Sequence, residues 1–533
     1  MATWRRQLGL GMVLCGLATL AWGAPLSTPT PKPTPPPPPT KRAVATPAKP
    51  AKSQPIAIIP QDGFNLRVAE QLDPHYIIVE LASPAHNWFA GTFTNLPTDK
   101  EVTIGLSMTG NDTQGNKADV SKWDGLMPVI TYADPAKYES YEWFQKDDKG
   151  RWVSGDPFKQ GNAKFAGTGK TPIQTAIPNA LAAQFLSKDG AYWQPWREVD
   201  AAEAVTGANV FRIKQKFART TATVAMRVPF TYTYLQHYIR RLKAANIPSV
   251  TMAAIGETPG KRQLQLIRVA GDADPDQVDE RRTILVIARE HATEHASSHV
   301  LLGMLNALVA QRMTQKLPTL DHLTWLFIPI EDPDGSAAST FNRLTDAFCN
   351  ANSPTTPKEA FIYARYFSDY VTAGSTIDIA LTLHNVEATE CAHLSCPFVD
   401  KQRIDEITEL NAAVFRNLPT DTYLTDPEKP GDTGFMHFRL YGWCARQFCT
   451  LDAAYEVNDR WPSHRLQHQE VQALGAHIST SLITWLAADA GNHVHDVCVW
   501  KMQQRAEERA AYFAAHHRVP DSRTDCEALA LGY

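Results

Sequence analysis

Four apolar runs in the second half of the chain each bring a chemically reactive side chain to their carboxyl end, and that pattern limits the possible fold more than any other feature. The runs are TILVIA (283–288), TWLFIP (324–329), TIDIALTL (376–383) and LDAAYEV (451–457). Their length and β-branched content predict strands, and the longer helical patterns between them predict an α/β sheet. His291 and Glu294 follow the first run, EDPDG follows the second, His384 follows the third, and Glu456 sits near the end of the fourth. In open α/β sheets the binding crevice lies beyond the carboxyl ends of the strands, so these residues are expected to converge.

The stretch REHATEHASSHV (289–300) holds three histidines and two glutamates in twelve residues. Two zinc arrangements fit it. An H-x-x-E pair makes His291 and Glu294 ligands. The H-x-x-E-H signature of inverted zinc peptidases makes His291 and His295 the ligands and Glu294 the general base. The second arrangement needs both histidines on one helical face. TILVIARE reads as strand up to His291, and Ser297 or Ser298 reads as the cap of a helix running through HVLLGMLNALVAQ. His291 then lies in a strand-to-helix turn, which favours His291 and Glu294 as ligands with the third supplied from elsewhere. His384, carried abruptly from an apolar strand into a polar loop, is the best third ligand; taken alone it would read as a hydrogen-bonded strand-end histidine. Two imidazoles and one carboxylate leave the fourth position that a catalytic zinc requires. Glu456 is a carboxylate inside an apolar strand, costly to bury without a partner. Either an arginine or a water at the metal would supply one.

From Ile56 to about Val228 the chain shows short β-like runs such as HYIIVELAS, HNWFAGTFTNL, EVTIGLSM and ATVAMRV, separated by Gly, Pro, Asn and Asp turns, which predicts a β-rich, sandwich-like domain. From Pro229 the character changes, and YTYLQHYIRRLKAA has helical spacing. Ahead of both, Arg5 and Arg6 precede an apolar stretch from Leu8 to Ala21 and the small residues Gly23 and Ala24, the order of a secretory signal peptide. The apolar run is short of the roughly 20 residues a membrane span needs, so no stable span is expected after its removal. The twin arginines leave the export route open. PTPKPTPPPPPTKRAVATPAKPAK reads as an extended polyproline spacer. The expected division is a leader at 1–23, a Pro-rich linker at 24–55, the β-rich domain at 56–228, a catalytic domain at 229–490 and a helical tail at 491–533. Periplasmic or secreted placement follows. A net charge of −4 with interspersed signs offers no broad basic face, which excludes nucleic acid as a partner. Of the cysteines after the leader, the pairs 391/396, 444/449 and 498/526 are expected as disulfides with Cys349 left over. A structural zinc on the two C-x4-C pairs is the alternative.

TILVIAREHATEHASSHVLLGML resembles the zinc-ligand segment of the metallocarboxypeptidases typified by the pancreatic enzymes. FIPIEDPDGSAAS is similar to their Asn-Pro-Asp-Gly segment with Asp332 in place of Asn, and LHN and YEV stand where that family places its second ligand histidine and its catalytic glutamate. HNWFAGTFTNL, DGLMPVITYAD and MRVPFTYTYLQHYIRRL resemble the β domain and domain junction of the cytosolic carboxypeptidase branch. The resemblance implies a mixed-sheet α/β/α zinc carboxypeptidase domain behind a β-rich domain, and hydrolysis of the C-terminal peptide bond of peptides. It implies one zinc per chain on His291, Glu294 and His384, with Glu456 as general base and later acid. His295 and His299 would then lie outside the ligand set. The family grips the substrate carboxylate through arginines. Asn342-Arg343 is the Asn-Arg pair nearby, while Asn350-Ala351 stands where a second is expected, so Arg343 is the implied clamp. Tyr441 in FRLYGWCARQF is the implied tyrosine that covers the substrate. An exported chain would meet cell-wall or other periplasmic peptides rather than cytosolic protein tails. A zinc amidase or deacylase using the same site, and an inactive binding or scaffold protein, are the alternatives.

Overall fold

The computed structural model describes residues 54–81, 88–107, 128–132, 144–146, 152–154, 194–195, 210–247, 249–271, 282–314, 322–340, 358–385, 393–395, 404–415, 424–425, 440, 451–456 and 468–486. The leader, the Pro-rich tract, the C-terminal tail, all the cysteines, Arg343 and Tyr441 lie outside them.

The first part is built of strands: β1 (Ala57–Ile59), β2 (Leu66–Asp73), β3 (Tyr76–Leu81), β4 (Ala90–Thr94), β5 (Val102–Ser107), β6 (Val129–Thr131), β7 (Phe144–Lys146), β8 (Trp152–Ser154), β9 (Gln194–Pro195), β10 (Val210–Gln215) and β11 (Ala222–Ala225). One sheet runs β1-β4-β11-β6-β9, a second runs β10-β5-β3-β2, and β7 pairs with β8. The period-2 pattern is direct: Ile77 and Val79 of β3, Val102, Ile104 and Leu106 of β5, and Phe211 and Ile213 of β10 are all buried. They enter one core with Trp88, Phe89, Phe93 and Phe217.

The second part contains α1 (Tyr232–Ala245), β12 (Val250–Glu257), β13 (Gln263–Ala270), β14 (Arg282–Ala288), α2 (His295–Thr314), β15 (Leu323–Ile328), α3 (Pro333–Ala338), α4 (Lys358–Thr372), β16 (Ile379–His384), β17 (His393–Ser395), α5 (Ile404–Phe415), β18 (Leu424–Thr425), β19 (Leu451–Glu456) and α6 (His468–Leu486). Its sheet has eight strands in the order β12-β13-β15-β14-β16-β19-β17-β18. The centre is parallel, β15 with β14, β14 with β16 and β16 with β19, while β12 and β13 add antiparallel at one edge. The four apolar runs of the sequence are the four central strands. They are apolar at nearly every position because both faces are covered. Ile284, Val286 and Ala288 of β14 join the core shared with α2 and α6, whereas Leu285 and Ile287 join a second core with Ala360, Tyr363, Ala364, Phe367 and Val371 of α4. Those α4 positions recur at i, i+3, i+4 and i+7, a single stripe. The α2 helix is apolar on most sides because it lies inside the first core, between the sheet, α6 and the β-rich part.

That first core runs without a break from the β-rich strands through α1 and α2 to the central sheet. The change of architecture at Pro229 is therefore not a break in packing. The α1 helix begins as its sequence dictates, with Thr231 accepting from the Tyr234 amide, and ends at Asn246 in the left-handed region (φ 46°). No helix among the described residues is long and apolar enough to cross a membrane.

The contact of α2 with α6 rests on two glycines. A Cβ on Gly303 would overlap the carbonyl oxygen of Gln472, and one on Gly475 would overlap that of Val300. In an open helix Gly→Ala stabilises by about 1 kcal/mol. Here overpacking, at about 1–3 kcal/mol, opposes it against a backbone atom that cannot rotate away. Gly303→Ala is expected to lower the thermal unfolding midpoint, and a raised midpoint would contradict the close helix contact.

Candidate metal centre

Register brings the reactive side chains together. The Cα atoms of β14 and β16 pair as far as Ala288 with Leu383, and those of β16 and β19 as far as His384 with Glu456. The ends of three adjacent parallel strands therefore lie side by side. The turn after β14 carries His291 and Glu294, closed by the Glu294 amide donating to the His291 carbonyl at 3.1 Å. Glu294 sits at the centre: Oε1 is 2.8 Å from His291 Nδ1, and Oε2 is 3.0 Å from His384 Nδ1 and accepts from the Asn385 amide at 3.0 Å. The two imidazoles meet edge to face at 4.8 Å between ring centroids. Burial alone would raise the Glu294 carboxyl, but the charges and hydrogen bonds of His291 and His384 hold it well below the usual carboxylate range, so it is ionised.

One donor atom from each of His291, Glu294 and His384 lies within 4.8 Å of the others. Donors around a tetrahedral zinc with bonds of about 2.1 Å stand about 3.4 Å apart, so an ion fits with small side-chain movements. Two Nδ1 atoms and a carboxylate are a donor set suited to zinc. These are the three residues that the sequence nominated as ligands, brought together here as a group that could hold a metal ion.

The other histidines of the stretch serve a different purpose. His295 Nδ1 accepts from the Phe230 amide at 2.8 Å and lies 3.1 Å from Arg289 Nη1, and its ring stacks on Trp88 at 3.7 Å. Burial first, then the charges of Arg289, Arg227 and His299, push its pKa well below the ordinary histidine value. It is a neutral hinge pin between the β-rich part and the ligand turn. His299 Nε2 contacts the Val228 carbonyl at 3.3 Å beside Phe230. His295, which the inverted-peptidase arrangement needs as a ligand, is engaged with Phe230, Arg289 and Trp88 and does not belong to the group formed by His291, Glu294 and His384.

Arg289 was not singled out by its sequence. It is fully buried and has a left-handed backbone (φ 65°), rare for a residue other than glycine. Its guanidinium donates to the carbonyls of Ala292 and Phe230 (2.7 Å each) and to Ser336 Oγ at 2.6 Å. Burial lowers its pKa to about 9, opposed by the charges of Glu294, Asp332 and Asp62, so it remains cationic at neutral pH. The expected capping of the next helix by Ser297 or Ser298 is corrected: α2 starts at His295, and both serines lie within its first turn, donating to the carbonyls of Glu294 and Pro329. EDPDG is structural. Asp332 caps α3 by accepting from the Gly335 amide, and Asp334 accepts from Thr258, Gly260 and Arg262 in the β12–β13 turn.

Residues 235–396 match the family model described as zinc carboxypeptidase. The chain carries a zinc carboxypeptidase domain. Cytosolic carboxypeptidase 6 of Mus musculus is 30% identical over 107 residues, which is 20% of this chain and 20% of that protein. The Caenorhabditis elegans protein of the same name is 32% identical over 110 residues, 20% of this chain and 23% of its own. The match thus spans about a fifth of the length of these curated relatives. In fold, the chain is similar to a metallo-carboxypeptidase from Burkholderia cenocepacia (TM-score 0.56, 14% identity, 81% of this chain and 99% of that one). It is also similar to a Pseudomonas aeruginosa metallo-carboxypeptidase in complex with (2-guanidinoethylmercapto)succinic acid (TM-score 0.53, 14% identity, 80% and 97%). Coverage of about four fifths is more than the zinc carboxypeptidase domain alone can supply, so the likeness extends into the β-rich part.

Glu456 ends β19 with its backbone in register with His384. Arg343 and Tyr441, expected at the substrate, fall outside the described residues.

The ligand assignment has a direct consequence. Purified protein is expected to lose zinc on His291→Ala or His384→Ala. His295→Ala should keep it, while leaving the Phe230 amide without its acceptor at a stability cost of about 1–3 kcal/mol. Elemental analysis paired with thermal unfolding reads both. Loss of metal in His295→Ala with retention in His384→Ala would reverse the assignment.

Proposed function

We propose that the protein is a zinc-dependent metallocarboxypeptidase that removes C-terminal residues from peptides, holding one zinc per chain on His291, Glu294 and His384. The observation that carries this reading is the convergence of those three donors at the ends of two parallel strands, with Glu456 in register on the next. Neighbouring strands lie about 4.8 Å apart, which puts the Glu456 backbone within side-chain reach of the centre. When bound, zinc supplies Lewis acidity toward the scissile carbonyl and toward the attacking water. Glu456 accepts a proton from that water and delivers it to the leaving amine. Arg343 pairs with the substrate's terminal carboxylate through two parallel hydrogen bonds, and Tyr441 covers the bound peptide. The leader and polyproline spacer support a periplasmic or secreted enzyme whose substrates are cell-wall or other periplasmic peptides.

A zinc amidase or deacylase is the second reading. Ala351 stands where a second carboxylate-binding arginine is expected, which would relax the requirement for a free C-terminus.

If Glu456 only moves protons, Glu456→Gln lowers turnover by roughly 10²-fold or more and leaves zinc content unchanged. Near-normal turnover would remove it as the base. Arg343→Ala should weaken peptides with a free C-terminus and spare their amidated counterparts. Equal effects on both, measured as kcat/KM, would favour the amidase.

A further inference from the structure

The two nitrogens of the His384 ring face different surroundings. Nδ1 points to the metal side, 3.0 Å from Glu294 Oε2. Nε2 lies 3.4 Å from Glu290 Oε2 and 3.3 Å from Thr382 Oγ1. Glu290 and His384 are both buried, at 2% and 1% exposure, so water does not compete for this contact. Glu290 directly precedes His291. The turn after β14 therefore sends one side chain to the metal and, from the adjacent position, a carboxylate to the far side of the other imidazole. Glu290 was not recognised in the sequence, where a single acidic residue between Arg289 and His291 gives no signal of its own.

We propose that Glu290 is a positioning residue of the metal centre: it accepts the Nε2 hydrogen of His384, shared with Thr382, and so fixes the tautomer that presents the Nδ1 lone pair to the ion. This rests on the metal reading above. A neutral imidazole carries one hydrogen, and the acceptor at one nitrogen decides which nitrogen is left to ligate. Two acceptors at Nε2, one of them anionic, select Nδ1 and raise its basicity. The hydrogen bond at this nitrogen is the 3.3 Å contact with Thr382 Oγ1, and the Glu290 carboxylate stands beside it at an ion-pair separation of 3.4 Å.

The test is zinc affinity by competition with a chromophoric chelator, with the visible spectrum of the Co²⁺-substituted protein and the unfolding midpoint of the metal-free protein measured in parallel. Glu290→Met removes charge and acceptor at similar volume; Glu290→Gln keeps the shape and one acceptor. Zinc affinity is expected to fall about 10- to 100-fold in Glu290→Met and less in Glu290→Gln. The cobalt bands should shift, and the metal-free midpoint should be no lower than in the wild type. Affinity within twofold of the wild type with an unshifted cobalt spectrum in folded Glu290→Met, or a larger loss in Glu290→Gln than in Glu290→Met, would overturn the role of Glu290. Failure of the wild-type protein to bind zinc would overturn the metal reading itself and this inference with it.

Discussion

The guanidinium of Arg289 is the fixed point around which the metal turn is folded. It gathers the Ala292 carbonyl from the turn itself, the Phe230 carbonyl from the junction with the β-rich part, and the Ser336 hydroxyl from α3. A buried cation is tolerable only when its donors are met, so the three segments are held in one arrangement. The left-handed backbone at Arg289 reverses the chain directly after β14, and the amides of Glu331 and Asp332 bond back to the carbonyls of Ala288 and Arg289. His291 and Glu294 therefore project from a turn tied on every side. His295, one residue beyond Glu294, completes the tie through the Phe230 amide and the face of Trp88.

This arrangement gives the β-rich part a structural role in the zinc carboxypeptidase domain. Trp88 stacks on His295, its indole Nε1 donates to the Gly63 carbonyl, and Gly63 in turn donates to the Ala337 carbonyl of α3. Gly63 has a φ of 71°, and a Cβ there would come within 3.1 Å of the Ser336 carbonyl, so the chain approaches α3 at a position suited to glycine. Asp62, its neighbour, accepts from the amide and hydroxyl of Thr233 in the first turn of α1. The ligand turn thus has sheet on one side and the β-rich part on the other, and fixed supports of this kind are what a preorganised site requires.

The four central strands and their order of chemistry were legible in the sequence because apolar runs buried on both faces leave any polar outlier conspicuous. The α1 helix was legible from the helical spacing of YTYLQHYIRRLKAA, while its caps, Thr231 and Asn246, flank that run and were not read. His291, Glu294 and His384 could be named for the same reason. What could not be read was anything decided between distant segments. Trp88 and Phe230 lay in recognised stretches without a role. Arg289 and Glu290 looked like ordinary polar residues after a strand. The start of α2 was misplaced because Ser297 and Ser298 satisfy local capping preference, whereas the helix begins where His295 is held by Phe230 and Trp88. Local propensity lost there to tertiary hydrogen bonding. Glu290 is legible only once β16 has carried His384 to its side.

Anomalous diffraction at the zinc edge from crystals of the zinc-loaded protein tests the account most directly. It predicts one site per chain, within about 2.0–2.2 Å of His291 Nδ1, His384 Nδ1 and a carboxylate oxygen of Glu294, with His295 still stacked on Trp88. Zinc bound by His295 or His299, or no density between β14 and β16, would contradict it.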